Sequence, residues 1–141
     1  MDDLVKFLRH RLDEDERAAL AASWDEWDGS HWTAHHREQY DGRWAVIDRA
    51  DEGVTEVTPQ AADDEAVARH IARHDPARAV RSVEALRGLL KQYEEPETSA
   101  ALPDSFNMYT ARMQRALLTG VFRHLALAYA DHPDYREEWR P

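Results

Sequence analysis

Apolar residues recur along this chain with two periods, and the change between them divides it. Leu4, Leu8, Leu12 and Ala19 follow i, i+4 spacing, with Val5, Phe7 and Leu20 widening the stripe, which predicts an amphipathic helix over 3–24. Asp2 or Asp3 can cap it, because a carboxylate accepts from the free amides of a first helical turn. The charged stretch from Asp13 to Arg17 reads as a solvated face, or alternatively as an acidic metal or partner surface. Over 31–58 the period shortens. Trp44, Val46 and Asp48 alternate with Ala45, Ile47 and Arg49, Val54 to Val57 follow, and Pro59 closes the run. Asp41-Gly42 is the signal of a two-residue type I′ hairpin and Asp51-Glu52-Gly53 of a second turn, with Trp32 to Tyr40 supplying the least apolar strand. The result is a small antiparallel meander, too poor in apolar residues to stand alone, so one face must lie on helices.

Helical spacing then resumes. Asp63 and Asp64 cap a helix over 64–74 whose apolar positions are Val67, His70, Ile71 and His74. Asp75-Pro76 starts the next, over 76–94, because proline has no amide hydrogen to lose at the first helical position. Val80, Val83, Leu86, Leu90 and Tyr93 form its stripe, and it stops before Pro96. After a flexible loop from Glu94 to Pro103, a last helix spans 105–128 with Phe106, Tyr109, Met113, Ala116, Leu117, Val121, His124, Leu125 and Ala128 turned inward. Gly120 lies inside it at a cost of about 1 kcal/mol, which a close backbone approach would explain. Tyr135 and Trp139 leave the tail, 129–141, too aromatic for solvent, so it should pack back on the body. The expected architecture is α+β: one domain, 1–141, a predominantly helical bundle with the meander inserted after its first helix.

Composition limits function more than it defines it. The chain has 141 residues, no cysteine and a formal charge of −10, which excludes disulfides, thiol catalysis and cysteine zinc sites and disfavours direct nucleic-acid binding. No apolar run reaches a membrane span, and Met1-Asp2-Asp3 is not a basic leader, so a cytoplasmic protein is expected. Five scattered glycines build no phosphate loop, and no serine lies in a Gly-x-Ser-x-Gly setting. The paired carboxylates Asp63/Asp64, Glu94/Glu95 and Glu137/Glu138 sit in polar surroundings, where capping or solvation is their expected work. Arginines at 69, 73, 78, 81 and 87 read as helix-surface residues making i, i+4 pairs.

Two constellations stand out. His70 and His74 lie one turn apart on a helix, as two metal ligands would, with His132 or Asp131 as a third ligand and Asp75 beside them. Ile71 stands where a metalloprotease helix needs glutamate, so zinc hydrolysis by that route is unsupported, and a purely structural role for both imidazoles is the competing reading. His31, His35 and His36 form a poorer cluster, since neighbours in a strand face opposite sides. Trp24, Trp27, Trp32 and Trp44 gather four of the five tryptophans at the helix-to-meander junction, where those surplus to the core would make a contact surface.

Particular blocks carry a resemblance. The opening Met1-Asp2-Asp3-Leu4-Val5-Lys6-Phe7-Leu8, the run His70-Ile71-Ala72-Arg73-His74-Asp75-Pro76-Ala77-Arg78, and the close Tyr129-Ala130-Asp131-His132-Pro133-Asp134-Tyr135-Arg136-Glu137-Glu138-Trp139-Arg140-Pro141 resemble an actinobacterial family classed as a domain of unknown function. That family is common in streptomycetes, their phages and prophages, and Ala128 stands where the resemblance expects proline. The resemblance implies a possible phage association and no activity, cofactor or catalytic residue. The leading expectation is therefore a non-catalytic interaction or accessory protein that docks a protein partner or a second copy. The alternatives are a metal-dependent enzyme or metal-binding protein at His70 and His74, with zinc or another transition metal, and an acidic DNA mimic or anti-defence protein.

Overall fold

The computed structural model describes residues 1–23, 28–58 and 63–141. Among them are α1 (Asp2–Ala21), β1 (Thr33–Arg37), β2 (Arg43–Ile47), β3 (Gly53–Glu56), α2 (Asp64–Arg73), α3 (Pro76–Glu94) and α4 (Asp104–Ala126). The class is α+β, with a three-stranded antiparallel sheet in the order β1-β2-β3 after the first helix. The chain forms two compact units, a sheet unit of residues 15–83 and a helical unit of residues 1–14 with 84–141.

In the sheet unit, β2 is central, pairing Thr33 with Ile47 through Arg37 with Arg43 on one side and Ala45 with Glu56 on the other. The first connection is longer than the two-residue hairpin that Asp41-Gly42 suggests. A 3-10 turn over Glu38–Tyr40 precedes them, so Tyr40 leaves the expected strand. Asp41 and Gly42, at φ of 54° and 69°, both take the left-handed conformation that turns the chain back. The second connection is held by Asp48, whose buried carboxylate accepts from the amides of Ala50 (2.8 Å) and Glu52 (3.0 Å). Pro59 lies outside the described residues.

Asp63 caps α2 by accepting from the Ala66 amide at 3.1 Å, and α2 packs on β1 and β2. Its inner face is Ala68 and Ala72, not the expected Val67, His70 and His74, although Ile71 does pack at the edge. The methyl side chains let the helix settle closely on Trp32, Trp44 and Val46, so bulk comes from the sheet. Asp75 then caps α3, accepting from the amides of Arg78 (2.7 Å) and Trp32 (3.3 Å) and thereby anchoring the start of β1.

Arg37 grips Asp51 with both terminal nitrogens, at 2.8 and 2.6 Å, tying β1 to the β2–β3 turn. The guanidinium's hydrogen bond and charge hold the Asp51 carboxyl below its ordinary 3.8. A carboxylate depressed by folding contributes stability above its unfolded pKa and loses it as pH falls through the folded value. In a carboxyl NMR titration, Asp51 should therefore titrate below 3.8 and return toward that value in Arg37→Gln.

In the helical unit, Leu4, Val5, Phe7, Leu8 and Leu12 of α1 are buried, as are Leu90 of α3, Leu118, Phe122 and Ala126 of α4, and Trp139. Phe122 meets Tyr93 edge-on at 5.5 Å. Arg115 donates to the carbonyls of Tyr93 (3.0 Å) and Glu94 (3.3 Å), placing a cation at the negative end of α3. Asn107 exchanges hydrogen bonds with the backbone of Ser99 at 3.0 Å, pinning the loop that precedes α4. The inner face of α4 is thus 118, 122 and 126, not the expected stripe: Tyr109 is 61% and Leu117 70% exposed, with Phe106, Met113 and Val121 open beside them.

Candidate functional site

The two imidazoles that the sequence singles out do meet. His70 and His74 have ring centroids 4.4 Å apart at the end of α2. His74 Nδ1 lies 2.8 Å from the His70 carbonyl; a carbonyl only accepts, so Nδ1 carries the proton and the ring closes the helix C-terminus. Asp75 is committed to two backbone amides. His132 and Asp131 belong to the helical unit, where His132 Nδ1 accepts from the Asp134 amide at 3.0 Å. Among the described residues, no three His, Asp or Glu side chains gather closely enough to hold a metal ion.

Trp32 and Trp44 pack against the core between α2 and the sheet, while Trp24 and Trp27 lie outside the described residues. Trp32 donates its indole N–H to the Gly29 carbonyl at 2.8 Å, and the Arg69 guanidinium stands 5.6 Å over Trp44. Arg69 is also paired with Glu65 at i, i+4, as its spacing suggests. An open groove of about 710 Å³ runs between β1 and α2, with Trp32, His35, Arg69, His70 and Arg73 in its walls.

A serine, a histidine and an aspartate also meet in the loop before β1. Asp28 accepts from Ser30 Oγ at 3.0 Å and lies 2.8 Å from His31 Nδ1, and Ser30 Oγ is 3.2 Å from that same nitrogen. A nucleophilic triad needs serine on one ring nitrogen and aspartate on the other. Here both crowd Nδ1, so His31 cannot relay a proton between them. With Arg49 at 2.8 Å, the cluster stabilises Asp28, whose carboxyl is held below its ordinary value first by the His31 hydrogen bond.

The helical unit holds an aromatic cluster and, beside it, a buried arginine that sequence reasoning did not single out. Tyr129, His132, Tyr135 and Trp139 surround Phe7 with ring centroids 5.0 to 6.2 Å away, which packs the tail on α1. Beside this cage is Arg11, 6% exposed, its guanidinium 5.3 Å from the Phe7 ring centroid and one nitrogen 3.1 Å from Glu14. Arg11 Nε and Nη1 and the Tyr135 hydroxyl are buried without hydrogen-bond partners. Both side chains line a cavity of about 430 Å³, together with Lys6, His10, Arg136 and Trp139. The signal was in the sequence: Arg11 falls four residues after Phe7 and seven after Leu4, on the apolar stripe where a charge does not belong.

The model of a family described as "Family of unknown function (DUF6221)" matches residues 1–141. No curated protein and no solved structure matches the chain.

Proposed function

The chain belongs to that family of unknown function, DUF6221, along its whole length, and from this premise we propose that it is a non-catalytic interaction protein that docks a second copy of itself through the uncovered face of α4. The observation that carries this is the stripe Phe106, Tyr109, Met113, Leu117 and Val121, all at least 41% exposed along one side of a single helix. Its exposed fractions amount to on the order of 500 Å² of apolar surface, against ~800 Å² per partner in a standard interface that is roughly 60% apolar. The stripe is also self-complementary. Tyr109 and Leu117 flank Met113 at equal spacing, and Phe106 and Val121 flank it further out, so an antiparallel two-fold pairing sets Met113 on Met113 and Tyr109 on Leu117. Gly120 lies on the same side, and a Cβ added there meets nothing within 4 Å. Within one copy that glycine only weakens the helix, whereas at a helix–helix crossing it admits a second backbone.

Sedimentation over a concentration series tests this. The wild-type chain should reach dimer mass, and Leu117→Asp should weaken association by at least about tenfold while leaving helicity unchanged. Gly120→Ala should stabilise the monomer by about 0.5–1 kcal/mol yet loosen the dimer. A wild-type chain that stays monomeric throughout, or a dimer indifferent to Leu117→Asp, would overturn the reading.

A further inference from the structure

We infer that the cavity between α1 and the C-terminal tail is a binding site for a small molecule bearing an oxyanion, a carboxylate or phosphate, held by Arg11 and Tyr135. This goes beyond the docking reading and does not depend on it. Arginine remains charged at every pH a protein survives and offers five N–H donors in a fixed plane. Glu14 occupies one terminal nitrogen of Arg11, at 3.1 Å, while Nε and Nη1 are buried without an acceptor. The Tyr135 hydroxyl is a third buried polar atom without a partner, and Tyr135 lines the same cavity as Arg11. Unmet buried donors are expensive, and guanidinium and phenol hydrogens both call for an oxygen acceptor. A carboxylate or phosphate group supplies several acceptor oxygens together with the charge that a buried guanidinium favours.

The surroundings fit that ligand. The volume of about 430 Å³ is that of a small-molecule site, and Trp139 gives it an apolar wall. The carboxylates in the lining are Asp3, which Arg136 engages at 2.9 Å, and Asp134, 3.9 Å from His132 Nδ1. Lys6, Arg11 and Arg136 are the cations of the lining, of which Arg11 also meets Glu14 at 3.1 Å and Arg136 also meets Glu138 at 3.7 Å.

The test titrates the full chain with inorganic phosphate and, separately, with acetate, following the Arg11 Nε–H resonance by NMR and the heat of binding by calorimetry. At least one anion should shift that resonance saturably, and whichever does identifies the group the site accepts. Tyr135→Phe removes one oxygen and little else, and should weaken binding roughly tenfold, the worth of one good hydrogen bond. Arg11→Met should abolish it; if that variant does not fold, Tyr135→Phe still decides. Leu117→Asp should bind as the wild type does, which separates this site from the docking face. Silence of Arg11 toward both anions, including the case where a lone water bridges Arg11 and Tyr135, would overturn the inference, as would binding untouched by Tyr135→Phe.

Discussion

Phe122→Ala is expected to lower the unfolding free energy by about 3–5 kcal/mol, and Phe106→Ala by less than about 1 kcal/mol. The two phenylalanines lie on the same helix and differ only in what surrounds them. Phe122 is fully buried and meets Tyr93 edge-on at 5.5 Å, so truncation forfeits its transfer free energy, leaves a cavity and removes an aromatic pair. Phe106 is 49% exposed, so water already solvates half of what would be deleted. Urea unfolding followed by circular dichroism, at concentrations dilute enough for single copies, measures both. A larger loss at Phe106 than at Phe122 would mean that α4 turns its other side to the core.

Phe7→Ala should cost about as much, again about 3–5 kcal/mol, and should act at a distance in sequence. Phe7 is 6% exposed and stands at the centre of Tyr129, His132, Tyr135 and Trp139, with Trp139 nearest at 5.0 Å. Edge and tilted ring pairs add about 0.5–1.5 kcal/mol each beyond area, so losing four at once places the cost toward the top of that range. The local consequence is release of the tail. Limited proteolysis should cut within 129–141 in Phe7→Ala well before it cuts the wild type. A tail that stays protected would show that Arg136, through its 2.9 Å pair with Asp3, holds it instead.

The helix-capping signals were legible because they act over a few residues. The Asp63 carboxylate and the Asp75-Pro76 pair read as helix starts from composition alone, and both aspartates accept from the amides such a position leaves free. The meander was legible for the same reason, although the left-handed pair Asp41 and Gly42 follows a 3-10 turn, which their own preference does not disclose.

The face each helix buries was a different matter. On α2, periodicity favours the larger side chains of Val67 and His70, while the sheet receives Ala68 and Ala72 because Trp32 and Trp44 already fill the space. On α4, apolar residues recur on two sides, 106-109-113-117-121 and 118-122-126, and a repeat of period 3.6 cannot choose between them. The cluster at Arg11 lay deeper still, since Tyr135 reaches it from the far end of the chain.

By itself, then, the order of residues determined which segments become helix and strand and where α2 and α3 start, because caps, prolines and alternation depend on neighbours a few positions away. Only the tertiary structure decided which surfaces meet, which side of α4 stays uncovered and which polar atoms are stranded. Those outcomes depend on volume and hydrogen-bond partners supplied by segments distant along the chain, and no local pattern records them.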